Sequence, residues 1–272
     1  MTITQERALS FSGQQDEIRM EFGKPPVAET AVGFYFEKIE GWNILHHGAL
    51  WERFKPKYPD CEFLPTILDT PPQLNNMFDL SNVPIRVGFV DKTKTQLVQT
   101  QNGLLIHNWR KRAENDRYQR YQTIRSQLQE DWNILNTYLH ESSLKISKVT
   151  RCQVDYFNHL VRGEEWQDFT DLPKTFRVWR GLEQPVVGNL EMASFSVSYR
   201  VAGGTVHILV QPAVRTSDGK EVIQFTLSSS IAPTNPSDDD LFACLDKCHN
   251  YATQAFIDFT TEEARERWKQ NK

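Results

Sequence analysis

The alternation of hydrophobic and polar residues is most regular in the second half of the chain. Residues 194–201 read Ser-Phe-Ser-Val-Ser-Tyr-Arg-Val, so apolar side chains occupy every second position. This period of two predicts a strand with one buried face and one face in water, as in an antiparallel sheet. Related patterns predict strands at 152–157, 205–215 and 221–230, with turns at Gly203-Gly204 and at 217–220.

The first half carries a weaker version of the same strand pattern. A strand is predicted at 27–36, directly after two prolines that favour extended backbone. Three short strands are predicted at Ile85–Val90, Gln96–Thr100 and Leu104–Trp109, and an Asn-Gly pair favours the turn between the last two. The stretch from 60 to 82 is rich in Pro, Asn and Asp, which predicts a long loop.

Apolar residues at three- and four-residue steps predict the helices. The clearest stripes lie at 121–139 and 241–259, and each is long enough to cover one face of a sheet. A shorter helix is predicted at Gly41–Phe54. The last long helix is expected to begin at Pro236 and the three aspartates that follow, because carboxylates stabilise a helix N-terminus. A short terminal helix is expected to end near Trp268.

The order strand, helix, three strands, long helix occurs twice along the chain. The predicted fold class is therefore α+β, with two tandem β-α-β-β-β-α units forming an extended antiparallel sheet with long helices packed on one face. The units are placed at 25–142 and 143–272, packed intimately enough to count as one domain, after a mobile N-terminal arm at 1–24. In a related arrangement, the two halves assemble into a saddle or a helix-grip cup. A generic α+β chain whose elements happen to alternate is the alternative.

Composition and charge place the chain among ordinary soluble proteins. Its 272 residues are 39% hydrophobic and 24% charged, and the net charge of −4 gives no global field that favours nucleic acid or membrane. The apolar runs are strand-sized, and the N-terminal residues lack the apolar core of a secretory signal. Four scattered cysteines in a chain of this size favour reduced thiols, so a cytoplasmic location is expected.

Polar side chains in the second half are predicted to share one face of the sheet. If helices cover the other face, this one meets water, the other half of the molecule or a partner. The candidate binding residues on it are Asp155, His159, Ser196, Ser198, Arg200, His207, Gln211 and Gln224. They are rich in hydrogen-bonding groups and poor in fixed charge, which favours a binding surface. An ordinary solvated sheet face explains the same pattern.

Catalytic and metal-binding patterns are weak in this sequence. Asp155, His159 and His207 would form an acid–base or metal cluster only if strand register brings them together, and a solvated or buried histidine is the simpler interpretation. Cys244 and Cys248 lie on the apolar stripe of the last helix, which favours buried side chains over a zinc site. The sequence contains no Gly-rich phosphate loop, nucleophile elbow or Cys-x-x-Cys motif. We therefore expect no cofactor, no metal and no catalytic residues.

A basic segment lies between the last strand of the first half and its long helix. Residues 86–125 contain nine Lys or Arg and three acids, a local balance of 9 − 3 = +6. The candidate binding residues are Arg110, Lys111, Arg112, Arg117, Arg120 and Arg125. Tyr118 and Tyr121 are interleaved with them, and aromatic rings beside arginines are how proteins hold single-stranded nucleic acid. The alternative is a solvated helix face whose charges are balanced by the acidic C-terminal elements.

The chain resembles a sporadically distributed family of uncharacterised bacterial proteins of about this length. The resemblance covers nearly the whole chain, although each matching motif is short. The motifs are Pro25-Pro26-Val27-x-Glu29, Phe54 with Tyr58-Pro59, Arg86-x-x-Phe89, Leu97-x-Gln99, Asn108-Trp109, Tyr118-x-x-Tyr121, Tyr156-x-Asn158, and His249 with Phe256, Thr260 and Trp268. Thr30 departs from the more usual Ala after Glu29. The resemblance implies no catalytic residues, and it implies an accessory role of the kind found in defence or toxin–antitoxin neighbourhoods.

Three functional hypotheses follow from the sequence. The first is a non-enzymatic interaction protein of the bacterial cytoplasm that binds a protein partner such as a toxin, effector or defence component. The second is a nucleic-acid-binding protein that uses residues 110–125. The third is a small-ligand receptor or an enzyme with a pocket between sheet and helices. A homo-oligomer is compatible with each of them, and a membrane partner is not expected.

Overall fold

The structure is a computed structural model, and it describes residues 22–67, 85–179, 188, 190–235 and 237–269. The described part is a mixed α+β fold with one nine-stranded antiparallel sheet and five α-helices. The strands are β1 Val27–Phe36, β2 Asp60–Leu64, β3 Arg86–Val90, β4 Gln96–Gln101, β5 Leu104–Arg110, β6 Val149–Val161, β7 Phe195–Val201, β8 Gly204–Val214 and β9 Glu221–Ile231. The helices are α1 Ile44–Phe54, α2 Tyr121–Glu141, α3 Leu172–Thr175, α4 Asp238–Phe259 and α5 Glu262–Lys269, with a 3₁₀ turn at Phe169–Asp171.

The strand order is β2-β3-β4-β5-β1-β6-β9-β8-β7. Outward from the central β1–β6 pair, the first half runs β1, β5, β4, β3 and the second half runs β6, β9, β8, β7. In each half the first strand lies at the centre of the sheet, and the next three corresponding strands run from the outside back towards it. The first half differs by one extra strand, β2, at its edge.

The predicted long loop between 60 and 82 was wrong at its start, because Asp60–Leu64 forms strand β2. This strand pairs antiparallel with β3 over five residues. It lies between Pro59 and Pro65, and turn-forming residues on both sides conceal so short an edge strand in the sequence pattern. Residues 68–84, within the predicted loop and just beyond it, lie outside the described residues, as does most of the predicted arm at 1–24.

The long helices pack on one face of the sheet. Phe34 on the central strand β1 touches both of them, since its ring centroid lies 4.8 Å from that of Trp132 on α2 and 5.3 Å from that of Phe242 on α4. The apolar stripes predicted at 121–139 and 241–259 are the buried faces of these two helices. A single hydrophobic core therefore continues across both halves.

Helix ends follow the expected capping chemistry. Asn43 caps α1 by accepting a hydrogen bond from the backbone N–H of Leu45 at 3.0 Å. The side chain of Ser237 caps α4, and three aspartates occupy its first turn, as predicted. Pro236, also expected there, lies outside the described residues. The short terminal helix α5 is present and includes Trp268.

The sheet face opposite the helices differs between the halves. In the first half most of its side chains are buried, and Ala31, Tyr35, Leu104 and Ile106 form a small second core against which Ile67 packs. In the second half the corresponding face is partly or fully exposed along β7 and β8. The face of the second half carries Ser, Thr, Gln and His side chains, which tolerate contact with water.

Candidate functional site

The candidate site is the helix-free sheet face of the second half, called here the open face. It consists of the side chains of β6, β9, β8 and β7 that point away from α4. Strand register places all eight residues predicted for the polar sheet face on it, in cross-strand rows. The outer polar rows are Asp155–Ser228–His207–Ser198 and His159–Gln224–Gln211, and Arg200 belongs to a further row beside Thr205 and Ser230.

The middle row of the open face is more apolar than the rows on either side. It runs Phe157–Thr226–Leu209–Ser196 across the four strands. Phe157 and Leu209 are partly exposed, and Phe157 also packs against the small second core of the first half. The open face therefore has a partly apolar centre between two rows of hydrogen-bonding groups.

Asp155 lies at the inner border of the open face, next to strand β1. Ser228 Oγ donates a hydrogen bond to it, and Gln153 Nε2 lies 3.0 and 2.9 Å from its two carboxylate oxygens. Burial raises the pKa of Asp155 above its ordinary value, and the hydrogen bonds from Ser228 and Gln153 offset part of this effect. The carboxyl group is already fully engaged, so it is held in place as part of the surface.

The two histidines of the open face have separate surroundings. His207 Nδ1 lies 2.9 Å from Ser198 Oγ, across the β7–β8 pair. His159 is beside Gln224, and burial together with the positive charge of Arg215 lowers its pKa. Asp155 occupies the same row as His207, with Ser228 between them, whereas His159 lies two rows away. Register therefore does not assemble the acid–base or metal cluster that these three residues suggested.

No group of three or more His, Cys, Asp or Glu side chains among the described residues is arranged to hold a metal ion. Cys152, Cys244 and Cys248 are buried free thiols whose side chains contact one another, which agrees with the predicted buried role of the pair on α4. Cys61, on β2, is an exposed free thiol.

The structure divides the basic segment among different environments. Arg110 Nη1 pairs with Glu62 Oε1 at 2.9 Å, and Arg125 Nε pairs with Asp246 Oδ1 at 2.8 Å. Arg112 Nε donates to the backbone carbonyl of Lys94 at 3.0 Å. Lys111 is half-buried, whereas Arg117 and Arg120 are exposed. Asp246 belongs to α4, so part of the basic segment is neutralised by the acidic C-terminal part of the fold.

The two tyrosines of the basic segment are packed into the protein. Tyr118 makes an edge contact with Trp109, with ring centroids 5.3 Å apart. Tyr121 stacks on His249 with centroids 4.0 Å apart, and its hydroxyl donates to Asp246 at 2.8 Å. Both rings already have partners, so neither presents a free face for stacking with a nucleic-acid base.

A buried polar cluster on the helix side was missed by sequence reasoning. His107 on β5 and Asp131 on α2 are completely buried, with His107 Nδ1 2.6 Å from Asp131 Oδ2. The other ring nitrogen lies 2.8 Å from Gln96 Oε1, and the Tyr58 hydroxyl donates to Asp131 at 3.2 Å. Each ring nitrogen of His107 therefore has a hydrogen-bond partner inside the protein. One sequence feature could have indicated this cluster. His107 follows the apolar residues Leu104–Ile106 in a predicted strand, which suggests a buried polar side chain.

A second missed cluster lies on the opposite face of the first half. Asn108 Nδ2 donates to Glu29 Oε1 at 2.6 Å, and Gln99 Nε2 donates to Asn108 Oδ1 at 2.6 Å. Burial raises the pKa of Glu29, while the nearby charge of Arg110 acts in the opposite direction. Polar residues at both 107 and 108 of one strand necessarily point to opposite faces, so this strand carries a polar group into each layer.

No protein-family model matches the chain, and no curated protein matches it at a significant level. Among the described helices, none has the combination of length and apolar character that spanning a membrane requires.

Proposed function

We propose that the chain is a non-enzymatic interaction protein that binds a protein partner through the open face. The observation that carries this proposal is the arrangement of the three rows. Phe157 and Leu209 form a partly exposed apolar centre, and hydrogen-bonding side chains flank it on both sides. Protein interfaces have this anatomy, with an apolar core that excludes water and a polar rim that fixes orientation.

The chemistry of the open face favours a protein over a strongly charged partner. Its side chains are mainly Ser, Thr, Gln and His, and the carboxylate of Asp155 is engaged by its neighbours. Arg200 at the edge is the remaining strong charge of the predicted set. A nucleic acid would require a cluster of cations, whereas hydrogen-bonding groups around an apolar centre suit a polypeptide.

The dimensions of the open face indicate how such a partner is held. Four strands spaced about 4.8 Å apart, taken over the seven-residue length of β7 or about 24 Å, present roughly 460 Å². A stable interface usually covers about 800 Å² on each side. Strand β7 is the last strand of the sheet order, so its outer edge pairs with no described strand. We therefore expect the partner to extend around β7 and to add backbone hydrogen bonds at this edge.

The proposal is tested by affinity purification with the full chain as bait, in lysate of the organism that encodes it. The test variant is S196R/S198R, which places two bulky cations on β7 without touching the core. Its matched control is S126R, on the exposed surface of α2. Toxins, effectors and defence components, the partner classes implied by the resemblance, are then co-expressed singly with the bait.

We expect one protein to co-purify near 1:1 with the wild-type chain and with S126R, and to be lost with S196R/S198R. Circular dichroism of all three proteins checks that they fold equally. Failure to recover any stoichiometric protein, or equal recovery with both variants, contradicts the proposal.

A further inference from the structure

A cavity lies outside the open face, where the two halves meet on the helix side. Its volume is about 340 Å³. The last two turns of α2 form one wall, the connecting segment 144–149 forms the second, and the first turn of α4 forms the third. Ligand cavities in proteins usually start at about 300 Å³ and often lie at boundaries between units of a fold.

The topology explains why space remains at this position. The matching order of strands about the β1–β6 pair makes the C-terminal part of α2 equivalent to that of α4. At the α4 position, aromatic side chains fill the space. Phe256 lies 5.6 Å from Phe22 and 5.3 Å from Trp268 of α5, measured between ring centroids. After α2 the chain has no counterpart of α5, because residues 142–148 lead directly into β6.

The cavity wall combines an apolar base with polar groups at the rim. Leu144 and Ile146 supply partly exposed apolar surface above the buried Trp132, Leu139 and Leu241, and Asn136 contributes an amide. The indole N–H of Trp132 donates to Asp238 Oδ1 at 2.9 Å, so that oxygen already has a partner inside the protein. A cavity of about 150 Å³ holds a benzene ring. The present one is large enough for two fused rings or a medium alkyl chain.

Two lysines give the rim a cationic side. Lys145 and Lys148 are exposed, they line the cavity, and neither forms an ion pair or side-chain hydrogen bond with a described residue. On the other side of the connecting segment, Glu37 accepts a hydrogen bond from Ser147 at 2.8 Å. Asp238 and the two aspartates after it lie at the start of α4, whose N-terminal N–H groups offset their charge.

We infer that this cavity is a binding site for a small amphiphilic anion. The apolar part of the ligand lies against Leu144 and Ile146, and its carboxylate or phosphate meets Lys145 and Lys148. Charge-assisted hydrogen bonds from two ammonium groups provide the selectivity for an anion. The site is distinct from the open face, so either can fail without affecting the other.

The inference is tested with two fluorescent probes of similar size. 1-Anilinonaphthalene-8-sulfonate carries an anionic group, and N-phenyl-1-naphthylamine is its neutral counterpart. We expect wild-type protein to bind the sulfonate about tenfold more tightly than the neutral probe. K145Q/K148Q is expected to lose this tenfold preference while it keeps its affinity for the neutral probe. The control K92Q/K247Q removes the same charge at exposed positions and is expected to behave like wild type.

A pair of filling variants locates the probe. N136F inserts a ring into the cavity and is expected to abolish binding of both probes. G48L instead fills a separate apolar groove of about 210 Å³ between α1 and β3, lined by Trp51 and Phe89, and is expected to leave binding intact. Octanoate and octyl phosphate are then used as competitors, and the stronger one identifies the preferred anionic group.

Three results would overturn the inference. The first is equal sulfonate affinity in K145Q/K148Q and K92Q/K247Q, because the lysines would then make no contact. The second is loss of binding in G48L with binding retained in N136F, which would place the probe in the other groove. The third is displacement by neither competitor.

Discussion

The imidazole of His107 and the carboxylate of Asp131 are 2.6 Å apart with no solvent exposure on either side chain. They link strand β5 to helix α2 from within the core of the first half. Gln96 and Tyr58 complete the hydrogen bonding around them. Removing either group would leave the other buried, without this hydrogen bond and without water to replace it.

Replacing Asp131 by Asn is expected to lower the free energy of unfolding by about 1–3 kcal/mol, because His107 and Tyr58 lose the carboxylate that they contact inside the core. The measurement is chemical denaturation at neutral pH. The adjacent variant Glu130→Gln provides the control, since Glu130 forms an exposed ion pair with Lys57 at 2.8 Å and should change stability by less than about 1 kcal/mol. Similar losses in both variants would show that the buried pair has no special role.

Gly33 and Gly48 are expected to respond in opposite ways to substitution by Ala. A Cβ on Gly33 would lie 2.4 Å from the backbone oxygen of Leu105 and 2.8 Å from Ile106 Cα, so the central strand β1 would have to shift. A Cβ on Gly48, in α1, would meet no atom within 4 Å. We expect Gly33→Ala to destabilise the protein by at least about 2 kcal/mol. Gly48→Ala is expected to stabilise it by up to about 1 kcal/mol through helix propensity.

Thermal unfolding of the two glycine variants compares these effects directly. A melting temperature for Gly33→Ala equal to that of the wild type would contradict the close approach of β1 and β5.

His47 is expected to remain neutral in the folded protein down to acidic pH. Burial lowers its pKa to about 4, and its Nε2 accepts a hydrogen bond from the Trp42 indole at 3.3 Å. Because the unfolded chain binds a proton near the ordinary value of 6.5, folding stability is lost as the pH falls from 6.5 towards 4. The loss should reach at most about 3 kcal/mol, at 1.36 kcal/mol for each pH unit.

The measurement is the free energy of unfolding across this pH range, for wild type and His47→Gln. The variant keeps a hydrogen-bonding side chain but cannot titrate, so the difference between the two proteins should change between pH 6.5 and 4. A constant difference would mean that His47 titrates normally when folded.

Asp155 is expected to give a pH dependence of the opposite sign. Burial raises its pKa in the folded state above the ordinary value of 3.8, so the folded protein holds this proton more tightly than the unfolded chain. Stability from this group is present at low pH and is lost as the pH rises through 3.8 towards the raised value. Asp155→Asn should therefore gain stability relative to wild type as the pH increases. Ser228→Ala removes a hydrogen bond that lowers the pKa of Asp155. In this variant, which retains Asp155, the loss of stability with rising pH should therefore be larger than in wild type.

Arg125 and Asp246 are expected to stabilise the contact between α2 and α4. The guanidinium makes two contacts to the carboxylate, at 2.8 and 3.2 Å, and both side chains are partly exposed. A double-mutant cycle with Arg125→Gln and Asp246→Asn should give a coupling energy of about 1 kcal/mol. The coupling should fall in 1 M salt, and a value near zero at low salt would show that the pair contributes nothing.

The sequence by itself determined the α+β class, eight of the nine strands and the long helices. Period-two alternation at 194–201 and three- and four-residue steps at 121–139 are local properties, and each is visible without knowing any neighbour. The same alternation correctly grouped Ser198, His207 and Gln224 on one face, because a strand assigns successive side chains to opposite sides.

Tertiary structure alone decided which groups meet. Asp131 follows His107 by 24 positions, and only the packing of α2 on β5 brings them together. Register placed Ser228 between Asp155 and His207, and helix packing gave Tyr121, on the predicted apolar stripe of α2, His249 as its partner. Strand β2 was also hidden, because five residues between prolines become a strand only when β3 supplies hydrogen-bond partners. Pattern fixes the face on which a side chain lies, whereas its neighbours depend on contacts between segments distant in sequence.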